Sequence, residues 1–163
     1  MCLSPRRDFS DGGQKNYHNH QLVSKISKIA NDFEADLFVS VHCNSSVSPK
    51  PYGAMTLVMG LSRAGMNFEI AKAENAVISL EDNFKEKYEG FDPQSAESYI
   101  VFTFLLDTYL EQSLNYDSFI EGEFKTKALR KSRGVKQAGF LVLWKTTMPS
   151  VLIEAGFLTN PRE

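Results

Sequence analysis

Two residues of this chain combine a chemically active side chain with a position at the end of an apolar run. His42 follows residues 37–41, and Glu154 follows residues 150–153. Both runs are rich in β-branched and apolar residues, which is typical of buried strands. Burying a carboxylate beside Ile153 costs several kcal/mol unless it is paired, hydrogen-bonded or used in chemistry. An imidazole and a carboxylate in such positions can bind a metal ion or move protons.

The rest of the pattern predicts an α/β fold, in which a mostly parallel or mixed sheet is covered by helices in three layers. In open α/β sheets, ligands bind outside the carboxyl ends of the strands. We therefore expect His42 and Glu154 to meet at one rim of the sheet. The predicted strands are residues 36–42, 53–59, 139–144 and 150–154, and the predicted helices are residues 21–34, 67–89, 95–113 and 117–131.

The first and last of these helices carry apolar residues at helical spacing, which predicts one buried face on each. The residues expected to face inward are Leu22, Val23, Ile26, Ile29, Ala30 and Phe33 on the first helix, and Phe119, Ile120, Phe124, Ala128 and Leu129 on the last.

Length and composition indicate a single globular domain with a substantial core. The chain has 163 residues, of which 42% are hydrophobic and 23% charged. A net charge of -2 argues against a nucleic-acid partner, since phosphate binding needs a basic excess. No apolar run is long enough for a transmembrane segment, and no signal peptide is visible. Cys2 and Cys43 are too few for a disulfide framework, and we expect Cys43 to be a small buried hydrophobe.

Three segments resemble a known family in sequence, order and spacing. They are Ala-Asp-Leu-Phe-Val-Ser-Val-His at residues 35–42, Arg-Gly-Val-Lys at 133–136, and Met-Pro-Ser-Val-Leu-Ile-Glu-Ala-Gly-Phe at 148–157, followed by Asn160. Together they resemble the catalytic domain of the zinc-dependent N-acetylmuramoyl-L-alanine amidases, the cell-wall amidases, particularly the forms of Bacteroides-like bacteria. The similarity covers about residues 29–163, which is most of the chain.

This resemblance implies a peptidoglycan hydrolase that cleaves the amide between N-acetylmuramic acid and L-alanine of the stem peptide. It implies that His42 is a zinc ligand, that Glu154 is the catalytic carboxylate, and that the protein works in the periplasm or outside the cell. Amide hydrolysis needs an activated water, which zinc provides by lowering the pKa of bound water to about 7. A carboxylate nearby can accept that proton and pass it to the leaving nitrogen.

Two parts of the family pattern have no counterpart in this sequence. The family takes a first histidine from a His-Gly-Gly turn and a glutamate from the helix after it, whereas residues 11–13 here are Asp-Gly-Gly. His18 and His20 stand two residues apart and are alternative ligands, although we expect them to be exposed. We therefore expect residues 1–163 to be a single partial catalytic domain without its first and last parts. Such a chain is expected to be inactive by itself.

Residues 61–123 hold more helix than a simple crossover connection needs. By resemblance to related amidases, this segment is a helical insertion, and residues 81–98 are a candidate cover that an activator protein would displace. An extra helical layer of ordinary structure is the alternative.

The function itself also has an alternative, a metal-free degenerate amidase that acts as a wall-binding or regulatory protein. An unrelated peptidase would require a His-Glu-x-x-His motif, which the sequence lacks.

Overall fold

The computed structural model describes residues 22–60, 66–81, 83–104 and 107–163. Within them, four strands form one mixed sheet with helices on both faces, in the strand order β1-β4-β2-β3. The prediction of an α/β fold with a parallel or mixed sheet is confirmed. In chain order the elements are α1 (Leu22–Asp32), β1 (Phe38–Asn44), β2 (Ala54–Met59), α2 (Met66–Asn75), α3 (Phe84–Lys87), α4 (Ala96–Phe104), α5 (Leu110–Thr126), β3 (Ser132–Ala138), α6 (Leu141–Trp144) and β4 (Ser150–Phe157).

Strand β4 lies in the interior of the sheet and determines how the ends of its neighbours meet. It runs parallel to β1 and antiparallel to β2, while β3 pairs with β2 in parallel. The register places Glu154 opposite His42 on one side and opposite Met55 on the other. Side chains two residues apart in a strand share a face, so Leu152 and Glu154 point to the same side of the sheet.

The main hydrophobic core contains Leu57 and Leu152 of the sheet together with the helical residues packed over them. Aromatic rings dominate it: the ring of Tyr99 lies 5.1 Å from that of Phe68 and 4.9 Å from that of Phe91, both edge to face. Such contacts add about 0.5–1.5 kcal/mol each to area burial. This core anchors the helices of residues 66–104 to the sheet.

Helix α5 packs against β2, β3 and β4, but with a different face from the one predicted. Phe119 is 73% exposed and Leu129 is 83% exposed, so the prediction that they face inward is wrong. The buried residues are Ser113, Asp117 and Glu121, which follow one another at i, i+4 and i+8. The helical spacing of apolar residues therefore predicted a helix correctly. However, it is the polar residues Ser113, Asp117 and Glu121 that are buried where α5 packs against the sheet.

The two buried acids of α5 lie against hydroxyl groups of the sheet. Glu121 accepts hydrogen bonds from the hydroxyls of Thr56 and Ser132. Neither carboxyl oxygen of Asp117 has a hydrogen-bond partner among the described residues. Burial raises the pKa of Asp117 to about 7; the nearby Thr56 hydroxyl opposes this shift and the Glu121 charge adds to it.

The predicted third strand is wrong in position. Phe140, Leu141, Leu143 and Trp144 are buried in the core, with a helical turn at Leu141–Trp144, whereas the strand is Ser132–Ala138. Among the described residues, strand β3 pairs with β2 alone, and all its residues but the last are partly exposed. A strand at the edge of a sheet needs few apolar residues. The prediction therefore assigned the strand to the more hydrophobic segment that follows it, which forms the buried helical turn.

Helix boundaries also differ from the predicted ones. The helix expected at 67–89 changes to a 3₁₀ turn after Asn75, and the one expected at 117–131 begins already at Leu110. Ile29 of α1 and Phe33, which directly follows this helix, are 56% and 81% exposed, although we expected them to face inward. Helix α1 contacts α6, and Asn31 supplies polar bonds to the chain that follows α6. None of the described helices has the length and apolar character needed to cross a membrane.

Candidate metal centre

The ends of β1 and β4 bring His42 and Glu154 together. The two residues are in register on parallel neighbouring strands, so their side chains emerge at one rim. A third acid, Glu74, joins them from the last turn of α2. One ligand atom from each of these three residues lies within 4.8 Å of the other two. The structure therefore gathers an imidazole and two carboxylates at the place where the sequence predicted only two groups.

Glu74 contacts His42 directly. The Nδ1 nitrogen of His42 donates a hydrogen bond to Oε2 of Glu74 over 2.8 Å, and both side chains are partly buried. Sequence reasoning did not select Glu74, because no spacing rule connects the end of a helix to a distant strand. The only relevant signal was the expectation that the helical segment 61–123 covers the site.

The environment of the cluster changes the proton affinity of two of its members. Glu154 is only 1% exposed, and neither of its carboxyl oxygens has a hydrogen-bond partner among the described residues. Burial raises the pKa of Glu154 to about 7, the charge of Glu74 adds to the shift, and His42 opposes it. The hydrogen bond to Glu74 raises the pKa of His42, against the effect of desolvation. Glu154 can therefore change protonation near neutral pH.

The three side chains fit a zinc ion by their chemistry. Zinc binds imidazole nitrogens and carboxylate oxygens, and a catalytic site leaves one position open for water or substrate. The unpartnered buried carboxylate of Glu154 is a group that a nearby cation would compensate. Cys43 is exposed and outside the cluster, so the expectation that it is buried is wrong.

A cleft lies beside Glu74 and runs along the end of the sheet. Its walls come from the loop after β1, from one side of α2, and from Arg133 and Phe157. The guanidinium carbon of Arg133 stands 5.1 Å from the centre of the Phe157 ring. The lining of the cleft thus combines apolar side chains with the acids Glu69 and Glu74 and with Arg133.

The other residues considered as ligands lie outside the described part of the chain. These are His18, His20 and the Asp-Gly-Gly sequence at residues 11–13. Their role as substitute ligands stays a prediction.

Comparisons with known proteins assign the family. A family model for N-acetylmuramoyl-L-alanine amidase matches residues 15–163. The amidase AmiA of Escherichia coli is 32% identical over 139 residues, which are 83% of this chain and 46% of that protein. The amidase AmiC of another Escherichia coli strain is 30% identical over 146 residues, or 87% of this chain and 33% of that protein. The chain belongs to the N-acetylmuramoyl-L-alanine amidase family, and the resemblance of its three motifs is confirmed.

The fold has a solved counterpart as well. The crystal structure of an N-acetylmuramoyl-L-alanine amidase from Clostridium difficile 630 superposes with a TM-score of 0.55 at 19% identity, covering 86% of this chain and 51% of that one. The chain spans about half the length of the first of these relatives and of this structure.

Proposed function

We propose that the cluster of His42, Glu74 and Glu154 is the zinc centre of a peptidoglycan hydrolase. The reaction is cleavage of the amide between N-acetylmuramic acid and the L-alanine of the stem peptide. The observation that supports it most is the buried, unpartnered carboxylate of Glu154 in register with His42, in a chain of the amidase family. We further propose that residues 1–163 form a single partial catalytic domain.

His42 and Glu74 are the residues that would hold the metal. When bound, zinc supplies a water molecule that loses a proton near neutral pH. Glu74 contributes negative charge beside His42, which favours a cation at this rim.

Glu154 is the residue that moves the proton. A general base works best when its pKa is close to the operating pH, and burial raises the pKa of Glu154 to about 7. Its Oε atoms can therefore take a proton and release it again to the nitrogen of the leaving amine.

The cleft beside Glu74 is the proposed binding site for the glycan–peptide junction. Its apolar walls suit the methyl groups of the lactyl and alanyl units, and Arg133 suits a carboxylate of the stem peptide. Such a substrate would place the protein in the periplasm or outside the cell.

We also propose that segment 61–123 is a cover over this site. Its residue Glu74 lies against His42, so the helix end partly closes one side of the metal centre. Within this segment, residues 81–98 are the part that an activator protein would displace to give the substrate access, whereas Glu74 stays at the metal centre.

The second candidate function is a metal-free degenerate amidase that binds the wall or regulates other proteins. It is favoured by the bond between His42 and Glu74, which satisfies the imidazole without a metal. Zinc content separates the two functions. The enzyme predicts one zinc per chain, lost in His42→Ala. It also predicts release of stem peptide from purified peptidoglycan by the full-length catalytic domain, since the partial domain is expected to be inactive by itself. Absence of zinc after dialysis against micromolar zinc would favour the metal-free function.

A further inference from the structure

Asn75 follows Glu74 directly and is the last residue of α2. It is 3% exposed, and both the NH₂ group and the carbonyl oxygen of its side-chain amide make hydrogen bonds. Nδ2 donates to the carbonyl oxygen of Gly139 over 2.6 Å and to the hydroxyl of Tyr99 over 3.1 Å. Oδ1 accepts from the backbone N–H of Leu141 over 2.9 Å. One carbonyl and one N–H partner determine the orientation of the amide.

These bonds connect three separate parts of the fold. Gly139 and Leu141 lie at the junction between β3 and α6, whereas Tyr99 belongs to α4. The Tyr99 hydroxyl in turn donates to the carbonyl oxygen of Pro93 over 3.2 Å. A Cβ atom at Gly139 would collide with the Tyr99 ring, so the backbone and ring approach closely at this point. The end of α2 is thus tied to the sheet and to the helices above it.

Asn75 does not act as a capping residue, although its residue type and its position favour that role. It precedes the 3₁₀ turn Ala76–Leu80 as its N-cap residue, yet its side chain makes no capping bond. Asparagine at an N-cap usually bonds to the backbone of the turn it precedes. Here the amide turns into the core, where a buried group with three bonds is costly to replace.

We infer that Asn75 is a positioning residue for the metal centre, because its clamp fixes the end of α2 so that Glu74 meets His42. This inference rests on the proposed function insofar as Glu74 holds the metal. The contact that Asn75 maintains exists without metal and is tested without it. Partners that orient a metal ligand commonly change metal affinity by tenfold to a hundredfold when removed.

Asn31 provides a matched control for the experiment. Its side chain makes a similar clamp, in which Nδ2 donates to the carbonyl oxygen of Lys145 and Oδ1 accepts from the N–H and hydroxyl of Thr147. It lies near the start of β1 and β4, at the opposite end of these strands from His42. Asn31→Ala therefore removes a comparable set of bonds without touching the metal centre.

The first measurement uses the metal-free chain with ¹⁵N-labelled histidine. The chain contains three histidines, and His42→Ala assigns the imidazole signals of His42. The wild type and Asn31→Ala should share a His42 Nδ1 signal with a slowly exchanging proton bonded to Glu74. Asn75→Ala should show the signal of Glu74→Ala instead. A wild-type signal in Asn75→Ala would overturn the inference.

The second measurement is zinc affinity by competition with a chelator. Asn75→Ala should weaken zinc binding by at least about tenfold, and Asn31→Ala should leave it unchanged. In a Glu74→Gln background, Asn75→Ala should have no further effect, because Asn75 acts through Glu74. An equal additional loss in that background would contradict the inference.

A milder variant protects the test against misfolding. If Asn75→Ala does not fold, Tyr99→Phe removes one partner of the clamp and keeps the ring. It should shift the His42 signal in the same direction by a smaller amount, and an unchanged signal would reject the clamp. If the wild type binds no zinc but its His42 signal shows the Glu74 bond, the proposed function fails while the positioning role of Asn75 stands.

Discussion

Glu154 stands directly opposite His42 across two parallel strands, and both side chains emerge at the same rim of the sheet. Because β4 also pairs with β2, the carboxylate of Glu154 is enclosed by neighbours on both sides and is almost fully buried. The enclosure produces the raised proton affinity on which the proposed catalytic role depends. The arrangement leads to separate expectations for the two residues.

Replacing His42 and Glu154 should separate metal binding from turnover. In the full-length catalytic domain, His42→Ala should weaken zinc binding by at least about a hundredfold and abolish hydrolysis, because it removes the nitrogen ligand. Glu154→Gln keeps the shape of the side chain and should leave most of the zinc in place. It should nevertheless reduce turnover by at least about a hundredfold, because the amide cannot accept the proton. Zinc per chain and release of stem peptide are the measurements, and equal zinc loss in both variants would make Glu154 a ligand.

Asp117 should make the folded state less stable as the pH rises. Its pKa is raised from 3.8 to about 7 on folding, so the folded state binds its proton more tightly than the unfolded state does. The resulting stabilisation is full below about pH 4 and is lost as the pH rises towards 7, at up to about 1.4 kcal/mol per pH unit. Asp117→Asn should flatten this dependence and stabilise the protein at pH 7.

The measurement is urea unfolding of wild type and variant between pH 4 and 8. Glu154 also has a raised pKa, so only the difference between the two proteins reports Asp117. Glu123→Gln on the exposed side of α5 is the control and should keep the wild-type slope. A parallel pH dependence in wild type and Asp117→Asn would mean that the buried acid is not protonated on folding.

Glu163 should stabilise the end of β4 through three bonds. Its Oε1 accepts from Arg130 at 2.7 Å, and its Oε2 accepts from the N–H groups of Phe157 at 2.9 Å and Gly53 at 3.2 Å. Glu163→Ala should lower the free energy of unfolding by about 1–3 kcal/mol, since hydrogen bonds to charged groups are worth about that much.

Gly156 offers a double-mutant test of this contact. A Cβ atom at Gly156 would collide with the Glu163 carboxylate and approach the Arg130 guanidinium. Gly156→Ala should therefore be destabilising in the wild type and less so in the Glu163→Ala background, by at least about 0.5 kcal/mol in chemical denaturation. Strictly additive effects would show that the carboxylate does not occupy this place.

Two glycines with positive φ should differ in their tolerance of alanine. Gly53 (φ 99°) and Gly90 (φ 80°) both adopt backbone conformations that alanine rarely takes. A Cβ atom at Gly53 would also collide with the carbonyl oxygen of Lys131, whereas nothing lies within 4 Å of one at Gly90. Gly53→Ala should cost at least about 1 kcal/mol more than Gly90→Ala, as measured by thermal unfolding. Equal losses would mean that only the backbone conformation matters.

Local sequence patterns determined a large part of this fold. Three of the four strands lie close to their predicted positions, because β-branched apolar runs favour extended backbone that packs on both faces. The motifs that end in His42 and contain Glu154 also identified the family, which the comparisons confirm. These features depend on residues that are neighbours in the chain.

The position of β3 and the buried face of α5 were predicted wrongly, because both depend on which residues the neighbouring elements cover. Strand β3 is a polar sheet-edge strand, while the apolar run after it is packed in the core as a helical turn around Leu141–Trp144. Helix α5 buries Asp117 and Glu121 and exposes Phe119. Hydrophobic periodicity predicts which residues prefer burial, but the neighbouring elements determine which of them are covered.

The third member of the metal centre was decided only by tertiary structure. Glu74 reaches His42 because the end of α2 is held over the sheet by contacts with residues far along the chain, including those that Asn75 makes with Gly139 and Leu141. The local sequence preferences that determine where a helix begins and ends do not specify such a contact. The sequence alone determined the two strands and the two chemical groups they present, whereas the packing of α2 on the sheet determined what stands between those groups and solvent.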